Sequence, residues 1–176
     1  ASWDYPNPGE IICPCQTMPG NIVQNPCFED GKSPWSFYSN GWAGFNVSGP
    51  AYRGVYAAKV EIDKEGSNVQ LYQSGLPLEP NTPYRLYFTA KSSSGHDASV
   101  YVHEHGYPYT NYGLYNEVVN LTPEWQQFTI DFTTNSQAAA DGRLRFWLAP
   151  YDAAGDEYWF DNVYLLKVTD GVPPPP

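Results

Sequence analysis

Apolar and polar residues alternate with a period of two along most of the chain between residues 56 and 166. Tyr56 to Ile62 alternates, Asn68 to Gln73 forms a short polar-apolar run, and Tyr84, Leu86, Phe88 and Ala90 share one side of a run whose other side is Arg85, Tyr87 and Thr89. Ala98, Val100 and Val102 oppose Ser99, Tyr101 and His103. The run Gln127 to Phe132 buries its Phe and Ile side, and Leu144, Phe146 and Leu148 oppose Arg145, Trp147 and Ala149 before Tyr158 to Leu166 closes the series. Successive side chains point to opposite faces of a strand, so this period, punctuated by Gly, Pro and Asn, predicts strands. No segment carries a helical period. Seven or more strands in this arrangement predict an all-β protein, an antiparallel β-sandwich with jelly-roll order.

The two ends read differently. Residues 1–20 hold Pro6, Pro8, Pro14 and Pro19 with no period of either kind, an irregular extension or linker; the sandwich is expected over 21–170. Residues 171–176 end in four consecutive prolines, the composition of a stiff spacer, so the chain is expected to be one module of a larger protein.

Charge removes several partners. Nine Lys and Arg against nineteen Asp and Glu give a net charge of -10, a field that repels phosphate backbones, so nucleic acid is not expected as a partner. No apolar stretch reaches the roughly 18 to 20 residues that span a bilayer, so no membrane insertion is expected. Three Cys within the first 27 positions, sequons at Asn46 and Asn120 and the terminal Pro run point to an extracellular protein, secreted or on the cell surface. Cys13 and Cys15 are too close to bridge comfortably, which leaves a disulfide from Cys27 to one of them; three thiolates around zinc are the weaker reading, because no nearby His completes the set.

The polar sides of the strands carry the chemistry. A solvated face would be Lys, Glu and Thr, whereas these offer Tyr87, Tyr101, His103, Arg145 and Trp147. Flat rings beside directional hydrogen-bond groups suit a sugar, with its CH-rich face and hydroxyl rim; burial of some of these rings in a core is the alternative. Catalysis is not expected: Glu104, between His103 and His105, is the only acid embedded in such a face, and those two His lack an evident third metal ligand.

Several segments, taken in order, resemble family 4/9-type carbohydrate-binding modules, related to the family 16 and 22 modules. Asn25-Pro26-Cys27-Phe28-Glu29-Asp30-Gly31, Trp35 and Gly54-Val55-Tyr56-Ala57-Ala58-Lys59-Val60 are similar to the family's opening. Val69-Gln70-Leu71-Tyr72-Gln73, Leu78 to Tyr84, Leu121-Thr122-Pro123-Glu124-Trp125-Gln126-Gln127-Phe128 and Phe160-Asp161-Asn162-Val163 follow in the family's order, so the resemblance covers about residues 21 to 168.

The resemblance implies a non-catalytic jelly-roll module that binds polysaccharide or oligosaccharide chains, above all β-glycans of the plant-cell-wall type, on an aromatic-lined concave sheet. It implies a structural calcium held by the Glu29 carboxylate, Asp161 and backbone carbonyls near Cys27 and Tyr56, with Arg53 where some members place a carboxylate. For the glycan it implies Trp147 first, then Trp35 and Tyr101, with Gln73 as a hydrogen-bonding amide; Arg145 and His103 are expected to reach hydroxyls or a uronate. Independently of the resemblance, the density of Tyr in the loop 106–115 predicts a cleft wall that includes Tyr109 and Tyr112. The alternative is a structural surface or adhesion module that assembles through its N-terminal extension, by strand addition to a partner.

Overall fold

The computed structural model describes residues 14–169. It contains ten strands: β1 (Ser36–Ser39), β2 (Trp42–Ser48), β3 (Ala57–Lys64), β4 (Val69–Leu76), β5 (Pro83–Ser92), β6 (Ala98–Glu104), β7 (Asn111–Val119), β8 (Gln126–Thr133), β9 (Gly142–Trp147) and β10 (Glu157–Lys167). They form two five-stranded antiparallel sheets, ordered β1-β4-β9-β6-β7 and β2-β3-β10-β5-β8. This is the expected β-sandwich of jelly-roll type.

The alternating apolar sides meet between the sheets. Phe146 of β9 joins the two layers: its ring lies 4.5 Å from that of Phe160 on β10 and 5.0 Å from that of Phe88 on β5. Val60, Leu71, Leu86, Val100, Val102 and Leu144 fill the same layer without solvent exposure, each buried side chain contributing about 1.5 to 3 kcal/mol by area removed from water. Trp35, expected on the glycan surface, belongs to this core. It is buried, its ring lies 5.0 Å from Phe28 and 6.3 Å from Phe146, and its indole N–H donates to the Asn25 carbonyl at 3.0 Å.

Three strands were not expected from the pattern. β1 and β2 are edge-side strands with mixed exposure, and β7 occupies part of the segment read as a loop. The register of β7 against β6 shifts at Val102, and Gly113 and Asn116 have positive φ, so a bulged edge replaces clean alternation.

Residues 14–20 lie against the outer side of the second sheet. Met18, Cys27, Tyr87, Tyr164 and Leu166 form a small buried cluster there, and the Tyr164 hydroxyl donates to the Gln16 carbonyl at 2.7 Å. A disulfide joins Cys15 to Cys27, which resolves the choice between Cys13 and Cys15; Cys13 lies outside the described residues. Tyr87 therefore does not belong to a binding face: it points outward from β5 but is covered by this segment, and its sheet is not the one that carries Tyr101 and Trp147. The last residues, 170–176, also lie outside the description.

Candidate functional site

The outer side of the first sheet is built from its central strands. On β9, Arg143, Arg145 and Trp147 alternate with buried Leu144 and Phe146 and therefore face outward. Register carries the same side onto the neighbours: Ser99, Tyr101 and His103 of β6 stand opposite Trp147, Arg145 and Arg143, and Gln70 and Tyr72 of β4 stand opposite Trp147 and Arg145. Tyr38 of β1 is opposite Gln70, and Tyr115 of β7 sits edge-on to Tyr101 at 5.2 Å.

These groups touch one another. The Arg145 guanidinium lies 4.1 Å from the Tyr101 ring centroid and 4.5 Å from that of Trp147, and the Arg143 guanidinium lies 4.3 Å from that of Tyr72. Arg143 also donates to Gln70 Oε1 at 3.1 Å and to the His105 carbonyl at 2.9 Å, while Gln70 Nε2 donates to Asn68 at 2.9 Å, so the amide orientation is fixed. Tyr101, His103, Tyr109, Tyr115 and Arg145 line a small pocket in this surface.

Unmet hydrogen-bonding capacity concentrates here. Among the described residues, six buried side-chain polar atoms have no partner, and three of them, Ser99 Oγ, His103 Nε2 and Arg145 Nε, belong to this one face. Such groups are costly to leave unpaired and call for an explanation. His103 Nδ1 lies 2.6 Å from the Glu104 carbonyl, which places the ring proton on that nitrogen. Burial lowers the His103 pKa to about 4, with Arg145, Arg143 and His105 adding to the shift.

Trp147, Tyr101, His103, Arg145 and Tyr109 are thus brought together as the sequence suggested. Gln73 is not: it points inward across from Leu144, is buried, and bonds the Gln24 amide and carbonyl, both at 2.8 Å. Tyr112 is also packed inward, its hydroxyl donating to Asp141 at 2.7 Å. Sequence reasoning missed Gln70, Tyr72, Arg143, Tyr115 and Tyr38. Period two was the available signal for the first three, since Gln70 and Tyr72 flank Leu71 and Arg143 is two residues before Arg145.

Two of the expected calcium donors, Glu29 and Asp161, lie near each other, the latter on β10 of the second sheet. Both oxygens of Glu29 accept from the loop 52–56, through the amides of Val55 and Tyr56. Asp161, fully buried, accepts from the amides of Tyr52 at 2.9 Å, Arg53 at 2.8 Å and Asn162 at 2.9 Å. Burial pushes its pKa up to about 7 and the Glu29 charge adds to this, while the three amides oppose it. The Arg53 side chain takes no part, lying over the Tyr52 ring. No group of three or more His, Cys, Asp or Glu is gathered among the described residues, so an ion here would need backbone oxygens as well.

A family model, the carbohydrate binding domain, matches residues 20–153. The chain belongs to this family. It is accordingly a non-catalytic carbohydrate-binding module, which holds a glycan without changing it. A family 4 module is 24% identical, with a TM-score of 0.66 over 83% of this chain and 99% of the other. The N-terminal cellulose-binding domain of Cellulomonas fimi β-1,4-glucanase C is also 24% identical, with a TM-score of 0.61 over 86% of this chain and 99% of that domain. A family 61 module in complex with β-1,4-galactotriose is 23% identical, with a TM-score of 0.64 over 84% of this chain and 99% of that module. At these identities the likeness is one of fold. Among curated proteins, no sequence matches this chain.

Proposed function

We propose that this carbohydrate-binding module receives a polysaccharide chain across the outer side of the β1-β4-β9-β6-β7 sheet, where Trp147 and Tyr101 stack on sugar rings and Gln70, Arg143 and Arg145 reach hydroxyls. One observation carries the reading: open rings and unpaired buried polar groups coincide on this face, while outward Tyr87 and Tyr164 of the other sheet are covered by residues 14–20. Structural neighbours named for cellulose and for β-1,4-galactotriose support a β-linked glycan of the plant-cell-wall type. The module serves to hold a larger extracellular protein on that glycan. The Cys15 to Cys27 disulfide and the exposure of both sequon residues, Asn46 and Asn120, support an oxidising, extracellular setting.

A structural calcium held by Glu29, Asp161 and the carbonyls of Cys27 and Tyr56 belongs to the same reading. An all-oxygen donor set suits a hard cation, and its charge would offset a buried carboxylate that now faces another carboxylate. Assembly through the N-terminal extension has less support, because residues 14–20 are engaged on their own domain.

Affinity electrophoresis through a panel of soluble polysaccharides tests the proposal. Trp147→Ala should abolish retardation and leave the unfolding temperature nearly unchanged. Retardation that survives in Trp147→Ala would remove this face as the site.

A further inference from the structure

The cations of this chain are scarce and, away from the binding face, several are paired. Lys59 lies 3.1 Å from Glu61 and 3.8 Å from Glu157, Arg85 lies 2.6 Å from Asp131, and Lys167 lies 2.6 Å from Glu79. Lys32, Arg53, Lys64 and Lys91 are in no ion pair among the described residues, and what sets Arg143 and Arg145 apart is that they stand half-buried side by side on one face of β9. Neither has a carboxylate within ion-pair distance among the described residues, although acids outnumber bases nineteen to nine in the whole chain. The groups that face Arg143 are Tyr72, Tyr109, Gln70, His103 and His105; those that face Arg145 are Tyr101, His103, Tyr115, Trp147 and Arg143 itself.

Two half-buried guanidiniums side by side carry a cost. Each has lost part of its hydration, which disfavours the charged form of both. Tyr and Trp rings offset some of it through cation-π contact, but a stacking platform for a neutral sugar needs no cation at all. The arrangement is explained if the missing anion arrives with the ligand. Guanidinium presents a rigid planar fork matched to a carboxylate, and here the fork lies against the ring surfaces on which sugars would stack. In a uronic acid the carboxylate leaves the ring at its edge, so a ring stacked on Trp147 or Tyr101 carries its charge to the neighbouring guanidinium.

We infer that the glycan bound by this face is acidic, a polysaccharide whose uronate carboxylates are received by Arg145 and Arg143. This rests on the proposed binding face and adds the ligand's charge.

Calorimetric titration of the folded domain with oligogalacturonate and oligomannuronate, each beside its carboxyl-reduced neutral counterpart, with cello- and xylo-oligosaccharides and with a sulfated dextran oligomer, tests it. The uronate oligomer should bind roughly tenfold to a hundredfold tighter than its reduced form, the range expected for charge-assisted hydrogen bonds, and the advantage should shrink with added salt. Arg145→Gln should bring that ratio close to one; the wild-type comparison stands by itself if the variant does not fold. Equal or tighter binding of neutral oligosaccharides, or a preference for the sulfated oligomer, would overturn the uronate assignment and leave the binding face intact. Binding of none of them would overturn both.

Discussion

Gln70 lies directly across the strand pair from Trp147, whereas Gln73, three residues further along β4, lies across from Leu144 on the inner side of the sheet. Both are buried amides, yet one is tied to the proposed binding face and the other to the chain crossing beside β4. The two alanine variants should therefore separate binding from stability. Gln70→Ala should weaken glycan binding about three- to tenfold, the loss of one useful hydrogen bond, with a small effect on melting. Gln73→Ala strands the amide and carbonyl of Gln24 and should cost about 1 to 3 kcal/mol of stability with affinity unchanged. Titration and denaturant melts on both variants check this, and a binding defect in Gln73→Ala would reverse the assignment.

That pair also marks how far the sequence was readable. Period two gave seven strands and the correct outward sides of β5, β6 and β9, because one buried face imposes strict alternation. It did not say which outward sides share a sheet. Tyr87 and Tyr101 look alike in the pattern, but β5 and β6 lie in opposite layers, and only one layer is covered by residues 14–20. Trp35 and Tyr112 were misplaced for a related reason: neither lay in a run read as a strand, so no alternation assigned it a side. The bulged edge of β7 hid Tyr115 in the same way.

Gly54 holds the loop that cradles Glu29. Its φ is +72°, and a Cβ built there would fall 1.6 Å from Glu29 Oε1, so Gly54→Ala suffers both a strained backbone and a clash with the carboxylate. A loss of about 2 kcal/mol or more is expected by denaturant melt, against roughly 1 kcal/mol for the conformational effect alone. If calcium occupies the adjoining site, chelation should lower the melting temperature of the wild type, by an amount equivalent to about 2.7 kcal/mol when the ion had been present at a hundred times its Kd. Asp161→Asn should melt at the same temperature with calcium and with chelator. An equal response in wild type and variant would exclude this set of donors.

Reduction of the Cys15 to Cys27 bridge should loosen the cover over Tyr87 and Tyr164 without touching the proposed glycan face. The bridge closes a sequence separation of 12 residues, for which the chain-entropy account gives about 3 kcal/mol. The double variant Cys15→Ser with Cys27→Ser should thus be destabilised by about that much and should expose tyrosine to quenchers, while glycan affinity, if carried by the opposite sheet as proposed, stays within error. Lost affinity in a folded variant would mean that the two outer faces communicate.

His103 makes an acid-sensitive contribution to the stability of the fold. Its ring is buried with the proton on Nδ1 facing the Glu104 carbonyl, and its folded pKa of about 4 lies below the ordinary 6.5. The folded protein thus resists protonation, while the unfolded chain takes up the proton as pH falls below 6.5. The stability contribution of the neutral ring is complete above about pH 6.5, declines through the window down to about 4, and is constant below it. His103→Gln removes this one titration and leaves the carboxylates in place. The difference in unfolding free energy between wild type and His103→Gln should then be flat above pH 6.5 and shift against the wild type between 6.5 and 4. A difference that stays constant across the whole range would show that the folded state does not hold His103 neutral.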